Sequence, residues 1–122
     1  MTPEAAYGGG PVGPVAVGAI DEFVHTPARL SILSLLAPAQ WVLFSFLRES
    51  IGTSDSALSK QISALEAAGY VESRKDHAAR RSTSVRLTPH GRDSFDAYLA
   101  TLEALVARAR GARAEAHREA GA

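Results

Sequence analysis

The forty residues from Thr53 to Arg92 constrain this chain more than any other stretch: TSDSALSKQISALEAAGYVESRKDHAARRSTSVRLTPHGR. Ser54 is a good helix cap, and Asp55 in the first turn suits the positive end of a helix dipole. Leu58, Ile62 and Leu65 recur at i, i+4 and i+7 and form one apolar face. Ser56, Ser59, Lys60 and Ser63 fall on the opposite face. Gly69 is a left-handed helix stop. Tyr70 to Arg74 and Thr83 to Leu87 then read as two short strands, joined by a polar connection from Lys75 to Ser82. Thr88-Pro89 opens another helix, with proline in the first turn, where its missing N–H is not needed. A helix, a glycine stop, a basic hairpin and a further helix predict a mainly α fold with a small β ribbon.

The flanking sequence extends this plan. Residues 1–14 are rich in Gly and Pro, ending GGGPVGP, and are expected to be a disordered tail. A first helix is expected from about Val15 to Val24. Thr26-Pro27 repeats the cap-and-proline start, and Leu30, Leu33 and Leu36, with Ile32 between, give a helical stripe that Pro38 ends. A short extended piece from Gln40 to Val42 leads into a helix from about Leu43 to Ser50, supported by the spacing of Leu43, Leu47 and Ile51 and stopped at Gly52. The order is α-α-(β)-α-α-β-β-α.

The final helix carries Phe95, Leu99, Leu102 and Val106 at 4-3-4 spacing, with Tyr98 and Leu105 alongside. That stripe is broader than a terminal helix of one small domain needs, so these six residues are expected to form a dimer interface. The plainer alternative is a helix folded back on its own core. Beyond Gly111 the chain is helix-prone but has no apolar face, so it should fray or project into solvent. The expected division is a tail over 1–14, one folded domain over 15–110 and a second tail over 111–122.

At 122 residues and 46% hydrophobic content the chain suits one small domain. It has no cysteine, which excludes disulfides and thiolate metal sites and fits a reducing cytoplasm. No apolar run approaches the roughly 20 residues that span a bilayer, and the N-terminus lacks the layout of a signal peptide. No membrane association is expected. Net charge is zero, but residues 70–92 hold six basic residues (Arg74, Lys75, Arg80, Arg81, Arg86, Arg92) against Glu72 and Asp76, a local surplus of +4. Such a patch attracts phosphates. A solvated hairpin whose arginines pair with nearby acids has the same composition, and charge alone does not separate the two.

Enzyme chemistry finds no support. No glycine-rich loop opens a strand–helix unit. The four histidines, His25, His77, His90 and His117, are scattered, and none belongs to an acid–histidine–nucleophile grouping. No cofactor or metal is expected. His25 is expected to be a half-buried packing residue and His90 to be exposed.

A DNA major groove about 12 Å wide admits one α-helix. A helix that enters it needs one anchored face and a small or polar face outside. Leu58, Ile62 and Leu65 supply the anchor, and Ser56, Ala57, Ser59, Lys60 and Ser63 the outer face. Ser54 and the free first-turn N–H groups suit a phosphate. Asp55 is either an internal cap partner or repels DNA slightly. On the hairpin, Lys75, His77, Arg80 and Arg81 are the candidates, with guanidinium groups suited to the minor groove or the backbone. Trp41, Phe44 and Phe46 are either core or the lining of a pocket for a small apolar effector.

The strings His25-Thr26-Pro27-Ala28-Arg29-Leu30, Leu58-Ser59-Lys60, Leu65-Glu66-Ala67-Ala68-Gly69-Tyr70-Val71 and Leu87-Thr88-Pro89-His90-Gly91-Arg92 resemble the winged helix-turn-helix transcriptional regulators of bacteria, near the MarR and ArsR families. The resemblance covers about residues 20–107. It implies a homodimer on double-stranded DNA, with Ser56, Ser59 and Lys60 in the major groove and Arg81 in the wing. Two departures stand out. Ala79 precedes Arg80-Arg81 where many such wings carry an acid, and the metal-sensing cysteines of many ArsR-type relatives are absent. The function expected is a sequence-specific regulator, with repression as the default. The competing reading is a winged helix that binds protein rather than DNA.

Overall fold

Pro27 sets where the first described helix begins. Proline disfavours helical backbone at the residue before it, and Thr26 is extended at φ −129° and ψ 144°. The computed structural model describes residues 20–76 and 82–121. The N-terminal tail, the first half of the helix expected up to Val24, and the hairpin residues His77, Arg80 and Arg81 lie outside them. The described end of that expected helix is different: Glu22–Val24 form a turn, and the Thr26 N–H donates to the Val24 carbonyl at 2.8 Å. Helix α1 runs Pro27–Leu36. Thr26 occupies its cap position, but the hydroxyl makes no capping hydrogen bond. Ile32, Leu33 and Leu36 are buried, and Ala37 and Pro38 end the helix.

Strand β1, Val42–Leu43, passes straight into α2, Phe44–Ile51. Gly52 stops α2 in the left-handed region at φ 74°, where a side chain would be strained. Three residues later α3 begins and runs Asp55–Ala67, with the Ser54 hydroxyl accepting from the Ala57 N–H at 3.2 Å. At its far end the N–H groups of Gly69 and Tyr70 donate to Glu66 and Leu65, both at 2.9 Å, with Gly69 at φ 81°. This is the glycine termination expected from the sequence.

Strands β2, Val71–Asp76, and β3, Ser82–Leu87, pair antiparallel from Val71 opposite Leu87 to Asp76 opposite Ser82. The ladder therefore extends beyond the expected strand ends at Arg74 and Thr83. β1 pairs with the other edge of β3, Val42 opposite Val85, giving the order β1-β3-β2. Alternation along the strands buries Val42, Val71, Val85 and Leu87. Glu72, Arg74 and Arg86 take the opposite face. With Ile32, Leu33, Leu36, Leu47, Leu58, Ile62 and Leu65, the buried strand residues make the core of a compact unit spanning Glu22–Asp96.

Helix α4 runs Pro89–Gly121. Its start is tied to the end of α3. The Thr88 N–H donates to Tyr70 O at 3.0 Å, the Thr88 hydroxyl donates to Gly69 O at 2.6 Å, and the Gly91 N–H donates to the same hydroxyl at 2.9 Å. A Cβ on Gly91 would lie 1.9 Å from the Tyr70 carbonyl oxygen, so only glycine fits. The two most specific strings of the sequence thus meet in one joint.

From Ala97 onward α4 belongs to a second unit. It stays helical to Gly121, and its described side chains past Gly111 are exposed. Of the expected interface residues, Phe95 and Tyr98 are buried in the single chain, at 3% and 2% exposure. Leu99, Leu102 and Leu105 are half-buried, and Val106 is 42% exposed. No described helix is long and apolar enough to cross a membrane.

Candidate nucleic-acid interface

Helix α3 separates its two tasks by face. Leu58, Ile62 and Leu65 are buried, while Ser54, Ser56, Ala57, Ser59, Lys60 and Ser63 are all exposed. At 3.6 residues per turn, Ser56, Lys60 and Ser63 form the line furthest from the buried face, with Ala67 beyond them. Ser59 is turned toward the hairpin. Ser59 and Ser63 form one wall of a groove of about 390 Å³ whose other wall is Ser73, Lys75 and Thr83. The groove has hydroxyl groups on both sides and the exposed ammonium of Lys75 toward the hairpin end.

Three side-chain pairs fix α3 along its length. At its start Arg48 of α2 donates to Asp55 at 2.7 Å. The Asp55 hydrogen bond and charge raise the Arg48 pKa above the ordinary arginine value. Asp55 thus pairs with Arg48 rather than acting in the cap, which Ser54 makes, and Arg48 offsets its charge. In the middle, Arg29 of α1 donates to Gln61 Oε1 and to the Phe23 carbonyl, both at 3.0 Å, and lies 4.2 Å over the Phe23 ring. At the far end the Ser73 hydroxyl of β2 donates to Glu66 at 2.6 Å. Asp55 stands out in the sequence, but none of the three pairings does. Arg48 and Asp55 straddle the Gly52 turn, and their opposite charge across so short a connection was a usable signal. The other two pairs join residues 32 and 7 apart on different elements and left no local pattern.

The hairpin divides its cations. Arg86 is ion-paired with Glu72 and also lies 4.5 Å over the Trp41 ring. Arg74 lies 4.2 Å over that ring. Trp41 is thus placed with two guanidinium groups rather than in the core. Phe44 lines the groove beside α3, and Phe46 is 52% exposed. The three aromatic residues considered as one effector pocket are dispersed. His25, expected to be half-buried, is exposed, because the turn before Pro27 carries it outward. His90 is exposed, as expected, with its ring 5.2 Å from that of Tyr70. No group of three His, Asp or Glu among the described residues is placed to hold a metal ion.

The profile of the winged helix DNA-binding domain matches residues 28–106, which takes in every described element of this interface. The chain belongs to that family. It is a family of DNA-binding domains, not of enzymes. An uncharacterized protein of Methanocaldococcus jannaschii is 32% identical over 76 residues, covering 62% of this chain and 83% of that protein. A transcriptional regulator homologue from Pyrococcus horikoshii superposes with a TM-score of 0.68 at 28% identity, over 70% of this chain and 86% of that one. The YusO protein of Bacillus subtilis shares the fold with a TM-score of 0.68 at 23% identity, over 86% and 79% of the two chains.

Proposed function

We propose that this winged helix protein is a cytoplasmic transcriptional repressor that binds an inverted-repeat operator as a homodimer. Two copies of α3 enter successive major grooves, with half-sites about one turn, or roughly 10 base pairs, apart. Ser56, Ser59, Lys60 and Ser63 face the bases. Ala57 lets the helix backbone approach closely, and Ser54 with the first-turn N–H groups holds a phosphate. Lys75 and the hairpin residues His77, Arg80 and Arg81 take the backbone and the minor groove. Leu99, Leu102, Leu105 and Val106 supply the apolar face for the second copy. Occupancy of a promoter excludes polymerase.

One observation carries this reading: the exposed serine and lysine line of α3 lies opposite its buried leucine face, in a chain of a DNA-binding family. Lys60 has no acidic partner among the described residues, so its charge is available. A bare Asp55 carboxylate on α3 would favour the protein-binding alternative by repelling DNA, and its pair with Arg48 offsets that charge. With Trp41, Phe44 and Phe46 apart, no effector pocket is proposed.

The test compares two variants. Lys60→Ala should lower affinity for the selected operator by about 5- to 150-fold, the effect of roughly 1–3 kcal/mol of base discrimination, and leave binding to mixed-sequence DNA nearly unchanged. Replacing Arg80 and Arg81 together should weaken binding to all DNA and lower its salt dependence. A chain that binds no duplex at low salt is not a DNA reader.

A further inference from the structure

The outer face of the sheet holds two arginines against one tryptophan, and only one of them has an acidic partner. Arg86 gives its Nε–H to Glu72, so its charge is largely offset. Arg74 is exposed, lies 4.2 Å over Trp41, and has no carboxylate partner among the described residues. A ring face attracts a cation without neutralising it. It also restricts the long side chain, reducing the ordering that a later contact would require, and leaves the N–H edges of the guanidinium free. That combination, a fixed cation with full charge and open donors, is what a phosphate oxygen needs.

We propose that Arg74 is a sequence-independent phosphate contact, with Trp41 as its positioning residue. The proposal rests on the DNA-binding reading and extends it to the outer face of the hairpin, away from the α3 groove. The contact adds affinity and register but no base preference. It also gives the single tryptophan of the chain a role distinct from core packing.

The test is a salt titration of the full-length protein on a mixed-sequence DNA duplex, with Trp41 emission recorded alongside. Arg74→Gln, an exposed change that leaves the core untouched, should weaken binding and lower the slope of log K against log salt by about 0.9, the loss of one phosphate contact. Wild-type emission should change when duplex is added, and Arg74→Gln should abolish most of that change. Trp41→Phe, which keeps an aromatic face, should bind nearly as well as wild type, and Trp41→Leu should fall toward the Arg74→Gln level. If wild type binds and Arg74→Gln has an unchanged slope, the phosphate contact is refuted and the DNA reading stands. If Trp41→Leu and Trp41→Phe both bind like wild type while Arg74→Gln does not, the positioning role is refuted. If wild type binds no duplex at low salt, both readings fall together.

Discussion

Lys60 on α3 and Arg86 on the hairpin are both exposed cations, yet they stand in opposite conditions. Lys60 belongs to a helix seated by other residues: Leu58, Ile62 and Leu65 below it, and the Arg48–Asp55, Arg29–Gln61 and Ser73–Glu66 pairs around it. Nothing about holding the helix requires Lys60. Arg86 belongs to a strand whose outer face is organised by its own charged residues, so its guanidinium is taken up by Glu72 and Trp41. In the helix, holding and contacting are divided between faces. On the outer face of the hairpin they compete for the same side chains. Counting arginines along a sequence therefore overstates the charge a hairpin offers to DNA.

The largest way to break this contrast is to unseat the helix. Leu65 is fully buried at the joint between α3 and β2. Leu65→Ala should destabilise the fold by about 2–5 kcal/mol, through lost transfer energy and the cavity left behind. Chemical denaturation followed by circular dichroism measures it. A loss under about 1 kcal/mol would mean that the polar pairs, and not burial, hold α3. The next effect falls on the joint where β2 and α4 begin. A methyl group on Gly91 meets the Tyr70 carbonyl at 1.9 Å, and the backbone there is fixed by three hydrogen bonds through Thr88. Gly91→Ala should cost about 1–3 kcal/mol by overpacking. An unchanged melting midpoint would show that the joint gives way easily.

These two positions also mark what was legible in the sequence. The period of Leu58, Ile62 and Leu65 revealed the anchor of α3, and Gly52, Gly69, Pro27 and Pro89 marked the ends of elements through backbone rules that act locally. Strand β1, expected over Gln40 to Val42, lies within two residues of that place at Val42–Leu43, because Gly52 fixes the helix that follows it. What depended on register was not visible. Trp41 looked apolar and was assigned to core or pocket. Only the β1–β3–β2 pairing shows that it lies beside Arg86 and Arg74. The same holds for the dimer stripe. Spacing puts Phe95, Tyr98, Leu99 and Leu102 on one face of a helix, but periodicity does not say how exposed each of them is.

The smallest prediction acts on the hairpin alone. Glu72 and Arg86 are each a little under half exposed, at 45% and 44%, and an exposed pair of this kind contributes about 0–1 kcal/mol. Glu72→Gln should therefore leave stability within about 1 kcal/mol of wild type. Its effect should appear in DNA binding, because it removes the charge that offsets Arg86. Affinity for a mixed-sequence duplex should rise, and the salt slope should steepen by up to about 0.9 as one more guanidinium becomes available to a phosphate. Discrimination between operator and mixed sequence should fall, since the gain is blind to sequence and α3 is unchanged. A steeper slope with lower discrimination would establish that the hairpin's charge is limited by its own pairing. An unchanged slope would mean that Arg86 is held away from DNA by Trp41 as much as by Glu72, and that the difference between the two arginines lies in their position on the sheet.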